Sequence, residues 1–503
     1  MTPSELAPGV IPPKPEEPRV DSPFHMLGAF VFAGHLVLGA LAMLFSRIID
    51  AESWWTLAPF CLASLLSLAY LVTRTLQKAP RTALYEMGLF LAISCAVYYA
   101  FGPLLYVFGP GDEQWYPVSA DQSVWLCGMN FVGVGLAGIA YIATRFQIIA
   151  DASSRASISW SKRSTTTIFL IFAIVGFATT YLVVLPFELG LISTVPSNIT
   201  RQLGRLAIIA IIVGWAEQYT APRWMMLLTR ALVATEFVAG VLMFNKTMIL
   251  LPVLATALGR YVASRKLRAF VSVAALGAAI YIFIVPIVTY CRIELNDRGS
   301  GEYVQASLPE RLDIVYSYFE NGERPRADTR GRSTWWQRLN YLSPQQAAID
   351  LKQAGNGGTE LDLLPWIFVP RTIYPDKPEI TVAGKEMNEK VTGVRTSSVS
   401  PGIFIDGYYQ YEWLGLLVTS LTFGLALRIY ASISESVVRH RAFVMYPIVF
   451  NGVYTGLRAD GWWLADVLAR LVLMLVGVAF LSIYASLSGG VATSSRPPQT
   501  PSV

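Results

Sequence analysis

MLGAFVFAGHLVLGALAMLF (Met26–Phe45) and TIFLIFAIVGFATTYLVVLPF (Thr167–Phe187) contain no Asp, Glu, Lys or Arg. Each has the roughly 20 residues that a helix needs to cross about 30 Å of hydrocarbon, since it rises about 1.5 Å per residue. Of the 503 residues of the chain, 54% are hydrophobic and only 15% are charged, whereas about a quarter of the residues of a soluble domain are charged. These runs predict an all-α polytopic membrane protein.

The apolar runs divide the chain into five segments. Residues 26–291 hold nine predicted transmembrane helices, residues 408–486 hold three, and the more polar residues 292–407 form one large loop between them. Residues 1–25 and 487–503 have too few large apolar side chains to offset the entropy of ordering, which predicts two disordered cytoplasmic tails. The twelve predicted spans lie near 26–46, 56–73, 83–108, 123–144, 166–187, 204–219, 225–244, 247–263, 269–290, 408–430, 442–457 and 464–485.

Basic residues indicate the orientation of the spans. The connections after the second, fourth, eighth and tenth spans are rich in Arg and Lys, and the alternate connections are less basic. By the positive-inside rule these four connections face the cytoplasm. Both tails are then cytoplasmic and the large loop lies on the far side, so we expect a bacterial inner-membrane protein whose large loop faces the periplasm.

Composition argues against several other kinds of site. A net charge of +5 without a basic tract does not indicate a nucleic-acid partner. Cys61, Cys95 and Cys127 lie in apolar runs and Cys291 lies at the edge of one, with no CxxC pair, so neither disulfides nor thiolate metal sites are expected. The large loop has no histidine and no Asp-x-Asp sequence, and we therefore expect no bound metal and no cofactor.

The large loop itself should fold. Leu308–Phe319 and Trp335–Leu351 have helix-like apolar spacing, which predicts a partly helical loop. The loop also carries a series of arginines, including Arg332 and Arg338. Carboxylates of the loop could neutralise these arginines in a solvated surface, or their planar guanidinium groups could bind phosphate oxygens. Both interpretations stay open at this point.

Arg371 has a distinctive setting. It follows the apolar stretch LLPWIFVP and precedes Pro375 and Pro378, which restrict the backbone. A positive charge is therefore expected to be held firmly near the membrane surface, where lipid phosphates lie. Lys377 lies in the same stretch, and both residues favour a function over a solvated surface.

The stretch PRTIYPDKP (Pro370–Pro378), followed by Gly384 and SVSPGIFIDGYYQYEWLG (Ser398–Gly415), resembles the Wzy-type O-antigen and exopolysaccharide repeat-unit polymerases. The last periplasmic loop of that family often carries a PR, aliphatic, aromatic, P-D-K-P motif before an aromatic, glycine-containing helix start. FNKTMILLP (Phe244–Pro252) is similar to a short periplasmic turn of the family that carries a basic residue, here Lys246. The rest of the chain resembles the family in architecture.

The resemblance implies a membrane glycosyltransferase of GT-C type that acts in the biosynthesis of lipopolysaccharide or exopolysaccharide. It would transfer a growing glycan from undecaprenyl diphosphate onto the non-reducing end of a new lipid-linked repeat unit. The expected partners are these lipid-linked donors and acceptors and the lipid bilayer, and the resemblance also allows a chain-length regulator protein.

The expected chemistry needs fixed cations and a base. Departure of a lipid diphosphate builds negative charge, which preorganised cations stabilise best in a water-poor site. The catalytic candidates are Arg371 and Lys377 as cations and Asp376 as the base for the acceptor hydroxyl, with Glu379, Asp406 and Asp460 as alternative bases. The substrate-binding candidates are Arg332, Arg338, Lys246, Asp406, Tyr408 and Arg458.

Two other functions remain open. An O-antigen ligase would have the same architecture and the same donor, and the PDKP motif together with the absence of a loop histidine favours the polymerase. A transporter or flippase of lipid-linked glycans belongs to a different class. Its basic residues are expected along a central cavity within the helices, and the sequence concentrates them in the large loop.

Overall fold

The computed structural model describes residues 23–48, 54–79, 83–108, 116–161, 164–196, 198–264, 266–298, 305–320, 339–358, 362–363, 365–366, 369, 374, 383–393, 398–461 and 463–489. These residues form helices and turns, with no strand among them, and the predicted all-α fold class is confirmed.

The first α-helices are α1 (Pro23–Ile48), α2 (Ala58–Lys78), α3 (Met87–Cys95), α4 (Gly102–Phe108), α5 (Ala120–Ala143), α6 (Gln147–Trp160), α7 (Thr165–Thr179), α8 (Leu185–Glu188), α9 (Asn198–Gly204) and α10 (Leu206–Ala216). They are followed by α11 (Arg223–Leu242), α12 (Lys246–Ser264), α13 (Leu267–Arg298), α14 (Leu308–Glu320), α15 (Leu342–Gln353), α16 (Ala383–Thr392), α17 (Ile403–His440), α18 (Tyr446–Gly456) and α19 (Leu464–Gly489). The π-helices Ala96–Phe101 and Thr180–Val184 join α3 to α4 and α7 to α8.

Ten of the described helical segments are long and apolar enough to cross a membrane. The predicted count of twelve differs because the spans predicted near 204–219 and 442–457 correspond to α10 and α18, which have 11 residues each. A helix of that length rises only about 16 Å, roughly half of the hydrocarbon thickness. Both short helices are buried inside the bundle, where their apolar side chains contact protein. The chain still crosses the bundle at each of them together with the adjoining residues, because Glu188 lies beside Leu242 while Glu217 lies beside Arg441, and Leu464 lies beside Asp406. The predicted side of the large loop is therefore unchanged.

The bundle has a buried centre and an apolar periphery. α5 lies at the centre and packs against α1 and α17. Where α1 crosses α5, a β-carbon on Gly39 would lie 2.6 Å from the backbone oxygen of Gly128, so these helices approach closely only because the residues are small. The outer helices expose large apolar side chains such as Phe30 and Phe283, as expected where lipid is the solvent.

α17 consists of two segments that fold back on each other. Tyr411 and Glu412 have non-helical backbone angles, and a β-carbon on Gly407 or Gly415 would collide with the backbone oxygen of the other. The first segment, 403–410, therefore runs beside the start of the second, 413–440. Helix α17 begins five residues earlier than the predicted start at residue 408, because those residues form this short buried segment.

The large loop also enters the bundle. Nδ2 of Asn130 donates a hydrogen bond of 2.9 Å to Oε1 of Gln345 in α15, and Nε2 of Gln345 donates one of 3.2 Å back to Oδ1 of Asn130. Asn130 lies ten residues after the start of α5, which corresponds to about 15 Å along that helix. The start of α15 is thus inserted between spans instead of resting on their ends.

A second loop helix, α14, is attached by a buried arginine. Arg311 donates hydrogen bonds from Nε to Ala306 O (3.0 Å), from Nη1 to Leu242 O (2.9 Å) and from Nη2 to Glu188 O (2.6 Å). These contacts bring the ends of α8 and α11 together with α14 at one end of the bundle, which we call the loop end.

Candidate functional site

A turn at residues 457–461 follows α18 and is largely buried in the interior of the bundle. Its residue Ala459 accepts hydrogen bonds from Tyr99 Oη (2.7 Å) and from the backbone N–H of Ile403 (2.9 Å). The N–H of Ala459 donates to Oγ of Ser94 at 3.1 Å. Irregular backbone inside a membrane bundle is tolerated where protein groups satisfy it, and here three different helical segments do so.

Tyr454, near the end of α18, is buried between two guanidinium groups. Cζ of Arg205 lies 5.4 Å from the centroid of the Tyr454 ring, and Cζ of Arg458 lies 5.7 Å from it. Nη1 of Arg458 also donates a hydrogen bond of 3.0 Å to Tyr454 Oη. Arg470, in the second turn of α19, interacts electrostatically with both Tyr454 and Arg205. We call Arg205, Arg458, Arg470 and Tyr454 the arginine cluster.

The arginine cluster concentrates like charges. Arg205 interacts electrostatically with the Tyr454 hydroxyl and with both other arginines. Asp460 acts on Arg458, and Asp466 interacts with Arg470 and Arg458. Because like charges repel strongly away from water, such a cluster favours an anion that several guanidinium groups can share.

A carboxylate and a phenol lie beside the cluster. Asp460 is buried, and Oη of Tyr341 donates a hydrogen bond of 2.6 Å to its Oδ2. Burial and the charge of Asp460 raise the pKa of Tyr341 well above its ordinary value, so the phenol stays protonated and donates. Oδ1 of Asp460 is buried and has no hydrogen-bond partner among the described residues.

Arg458 remains charged in this environment. Arginine keeps its proton in proteins, and the nearby Asp460 carboxylate further favours the charged form of the Arg458 guanidinium group. Tyr341 precedes α15 and belongs to the large loop. The loop therefore brings a hydrogen-bond donor to Asp460, two residues from Arg458.

The site lies about half-way along the neighbouring spans. Ser94 and Tyr99, which contact Ala459, are the eighth and thirteenth of the 21 residues of Met87–Val107. Gly176, the twelfth of the 24 residues of Thr165–Glu188, packs closely on Ala207, two residues after Arg205. Arg205, Arg458 and Arg470 all remain partly exposed. The cluster is thus both deep and reachable.

Four of the predicted site residues are among the described ones, and two of them lie near this turn. Arg458 is part of the arginine cluster. Asp406 is completely buried, and its carboxylate accepts hydrogen bonds from Gln410 Nε2 (2.6 Å) and from the N–H of Leu464 (3.0 Å). These contacts cap α19 and favour a structural role for Asp406, and its predicted role in substrate binding stays a prediction.

The other two described candidates lie elsewhere. Tyr408 is buried against the rings of Trp125 and Trp413 near the reversal of α17. Lys246 begins α12 at the loop end, two residues after the buried Phe244. Five predicted site residues lie outside the described residues: Arg371, Asp376, Lys377, Arg332 and Arg338.

The sequence analysis missed Arg205, Arg470 and Tyr454. Two signals were available, because Arg470 interrupts the apolar run of α19 and Arg205 directly precedes that of α10. An arginine within or beside a membrane span is a functional candidate by default. No comparable signal distinguished Tyr454 from the many other aromatic residues.

Acidic, histidine and cysteine side chains do not form a metal site in the part of the chain that the structure describes: no three of them are close enough to hold an ion. Comparisons of the chain with protein-family models, with curated proteins and with solved structures gave no match.

Proposed function

We propose that this chain is a membrane glycosyltransferase that polymerises oligosaccharide repeat units carried on a lipid diphosphate, and that the arginine cluster holds the diphosphate. The observation that carries this proposal is the convergence of three arginines on Tyr454, two of them with Cζ within 5.7 Å of its ring centroid. A diphosphate offers several anionic oxygens, and each guanidinium group can bind two of them.

In the proposed reaction the bond between the anomeric carbon of the donor glycan and the phosphate oxygen breaks. Its electron pair remains on the diphosphate, where the arginine cluster stabilises the added charge. The acceptor hydroxyl forms the new glycosidic bond and gives its proton to a carboxylate. Among the described residues Asp460 suits this role, since its Oδ1 is unpartnered and Tyr341 orients Oδ2. Asp376, Arg371 and Lys377 remain predicted catalytic residues on the loop.

A lipid-linked glycan flippase is the second candidate, and specific observations favour it. The cluster lies half-way along the spans, and the short helices α10 and α18 end near it. Discontinuous helices around a mid-membrane site are typical of transporters. The transferase is preferred because the large loop supplies Tyr341 to Asp460 beside the cluster, which a reaction needs and transport does not.

The test uses purified protein in lipid vesicles supplied with lipid-linked repeat units from the source cells. We expect products of increasing glycan length with the wild type and none with Arg458→Gln. Arg439→Gln is the matched control, because Arg439 is exposed and forms an ordinary i,i+4 pair with Glu435 at 3.0 Å. Exposed pairs of this kind contribute little to stability.

Two results would count against the proposal. Transfer of single repeat units across the vesicle membrane without elongation would identify a flippase. Elongation by Arg458→Gln at the wild-type rate would remove the arginine cluster from the reaction.

A further inference from the structure

Glu412 has a backbone conformation that glutamate rarely adopts. Its φ of 53° and ψ of −138° lie at the reversal of α17, in a region that glycine alone enters readily. Non-glycine residues held in such regions cluster at functional sites. The position therefore raises the question of what the side chain of Glu412 does that glycine could not.

Two other described non-glycine residues have positive φ, and their side chains explain it. Phe244 (φ 49°) is buried and packs beneath the guanidinium group of Arg311. Arg441 (φ 54°) ends α17 and lies 3.5 Å from the carboxylate of Glu217. Glu412 is exposed, and no hydrogen bond or ion pair from the described residues holds its carboxylate. Among the described residues, no contact like those of Phe244 and Arg441 compensates for the strained backbone of Glu412.

Glu412 lies between two aromatic residues in the chain and interacts electrostatically with a third, Tyr408. Its chain neighbours Tyr411 and Trp413 are 44% and 43% exposed, which leaves their rings open to a ligand. The Trp413 ring lies 6.3 Å from that of Trp125 and 5.7 Å from that of Tyr408. An accessible carboxylate flanked by aromatic faces is suited to a sugar, whose hydroxyls donate to the carboxylate while its apolar face packs on a ring.

The large loop fixes this reversal in place. Nζ of Lys352 donates a hydrogen bond of 2.6 Å to Gln410 O, and the N–H of Gly358 donates one of 3.3 Å to Tyr409 O. Tyr411 Oη donates to Asp362 of the loop. The first two bonds satisfy backbone carbonyl groups that the break in α17 leaves without helical partners. The turn that carries Glu412 is thus held in place by hydrogen bonds to the large loop.

We propose that Glu412, Tyr411 and Trp413 form a binding site for a sugar residue of the lipid-linked glycan, with Glu412 accepting hydrogen bonds from neighbouring ring hydroxyls. The inference rests on the proposed function, since it takes the glycan to be the one whose diphosphate the arginine cluster holds. The site selects the sugar and positions the glycan, and it performs no chemistry itself.

The test measures binding of a defined probe: the oligosaccharides that mild acid releases from the lipid fraction of the source cells. Glu412→Gln is expected to weaken binding about 10-fold or more, as for a lost charge-assisted contact. Trp413→Leu should also weaken binding, because it removes the aromatic face on which the sugar packs. Glu412→Gly should weaken binding as much, yet raise the melting temperature, because glycine relieves the strained backbone. Trp55→Leu is the control, since Trp55 is 62% exposed and lies outside this site.

Several outcomes would overturn this assignment. They are a wild type that does not bind the oligosaccharides, full binding by Glu412→Gly, a lower melting temperature in that variant, and an equal loss in Trp55→Leu, which would indicate a general aromatic belt. Failure of the proposed function is distinguishable. Oligosaccharide binding that depends on Glu412, without any elongation, would refute the polymerase and retain the sugar site. Elongation that Glu412→Gln does not affect would refute the sugar site and retain the polymerase.

Discussion

The substitution Arg205→Gln tests whether Arg205 binds an anion or only stabilises the fold. The Cζ atoms of Arg205 and Arg458 lie 5.4 and 5.7 Å from the same Tyr454 centroid, so they are at most about 11 Å apart. At an effective dielectric constant of about 20, the repulsion between them is then at least about 1.5 kcal/mol. The cation–π contact with Tyr454 contributes about 0.5–2 kcal/mol in the opposite direction.

Arg470 adds a further repulsion, so in the empty protein the repulsions match or exceed the cation–π attraction, and Arg205→Gln should leave the melting temperature close to or above that of the wild type. Affinity for a diphosphate should fall sharply, because loss of one charge-assisted contact costs roughly 1.5–3 kcal/mol, or about 10- to 150-fold. The assay is the rise in melting temperature of the purified protein with increasing inorganic pyrophosphate, since a ligand that binds only the folded state stabilises it.

Two other arginines provide the controls. Arg201→Gln removes a neighbouring charge whose Nη2 lies 3.9 Å from Glu188, and should change neither quantity appreciably. Arg311→Gln breaks hydrogen bonds to three backbone carbonyls and should lower the melting temperature without changing pyrophosphate affinity. A wild type insensitive to pyrophosphate, or an unchanged response in Arg205→Gln, would refute the reasoning.

Four further predictions address topology, the loop, metal dependence and packing. An alkaline phosphatase reporter fused after Gly355 should be active and one fused after Arg268 inactive, because the basic connections place them on opposite sides; reversed activities would contradict the topology. Arg371→Ala should retain normal membrane abundance but yield single repeat units, and long chains in those cells would exclude the residue from the reaction. EDTA should leave elongation intact, since no described side chains group as metal ligands; activity restored by a divalent ion after its loss would disprove this. Asn130→Leu should destabilise the protein by about 1–3 kcal/mol because Gln345 loses its partner, and adding Gln345→Leu should recover part of that loss in denaturation experiments.

The fold class follows from the sequence because lipid imposes a simple rule. A segment such as Thr167–Phe187 must be helical, since only a helix satisfies its own backbone groups in hydrocarbon. The rule fails for α10 and α18, which are equally apolar but only 11 residues long. An apolar helix can be surrounded by lipid or by other apolar parts of the protein. Its composition does not distinguish these two environments. Length decides between them, and the boundaries are poorly defined in sequence.

The candidate site was only partly predictable for a related reason. Arg458 was singled out because it shares a short turn with Asp460, so local sequence sufficed. Arg205 and Arg470 join it from helices far away in the chain, and nothing in the sequence indicates that their side chains converge on Tyr454. The structural contact of Asp406 was equally hidden in the sequence, since its carboxylate accepts a hydrogen bond from the N–H of Leu464, 58 residues away.

Three irregular segments of the chain meet inside or above this bundle, and each of them carries candidate functional groups. The turn after α18 carries Arg458 and Asp460, the residues before α15 carry Tyr341, and the reversal of α17 carries Glu412. Backbone groups without hydrogen-bond partners raise the free energy of the folded protein away from water. Continuous helices would therefore fill the same volume at a lower free energy. Neighbouring segments donate and accept hydrogen bonds at Ala459 and Gln410, so backbone groups at two of these breaks are satisfied. We infer that such breaks in the helices exist because they present charged side chains to a ligand. This is the physical reason for expecting an anion near Tyr454 and a sugar near Trp413.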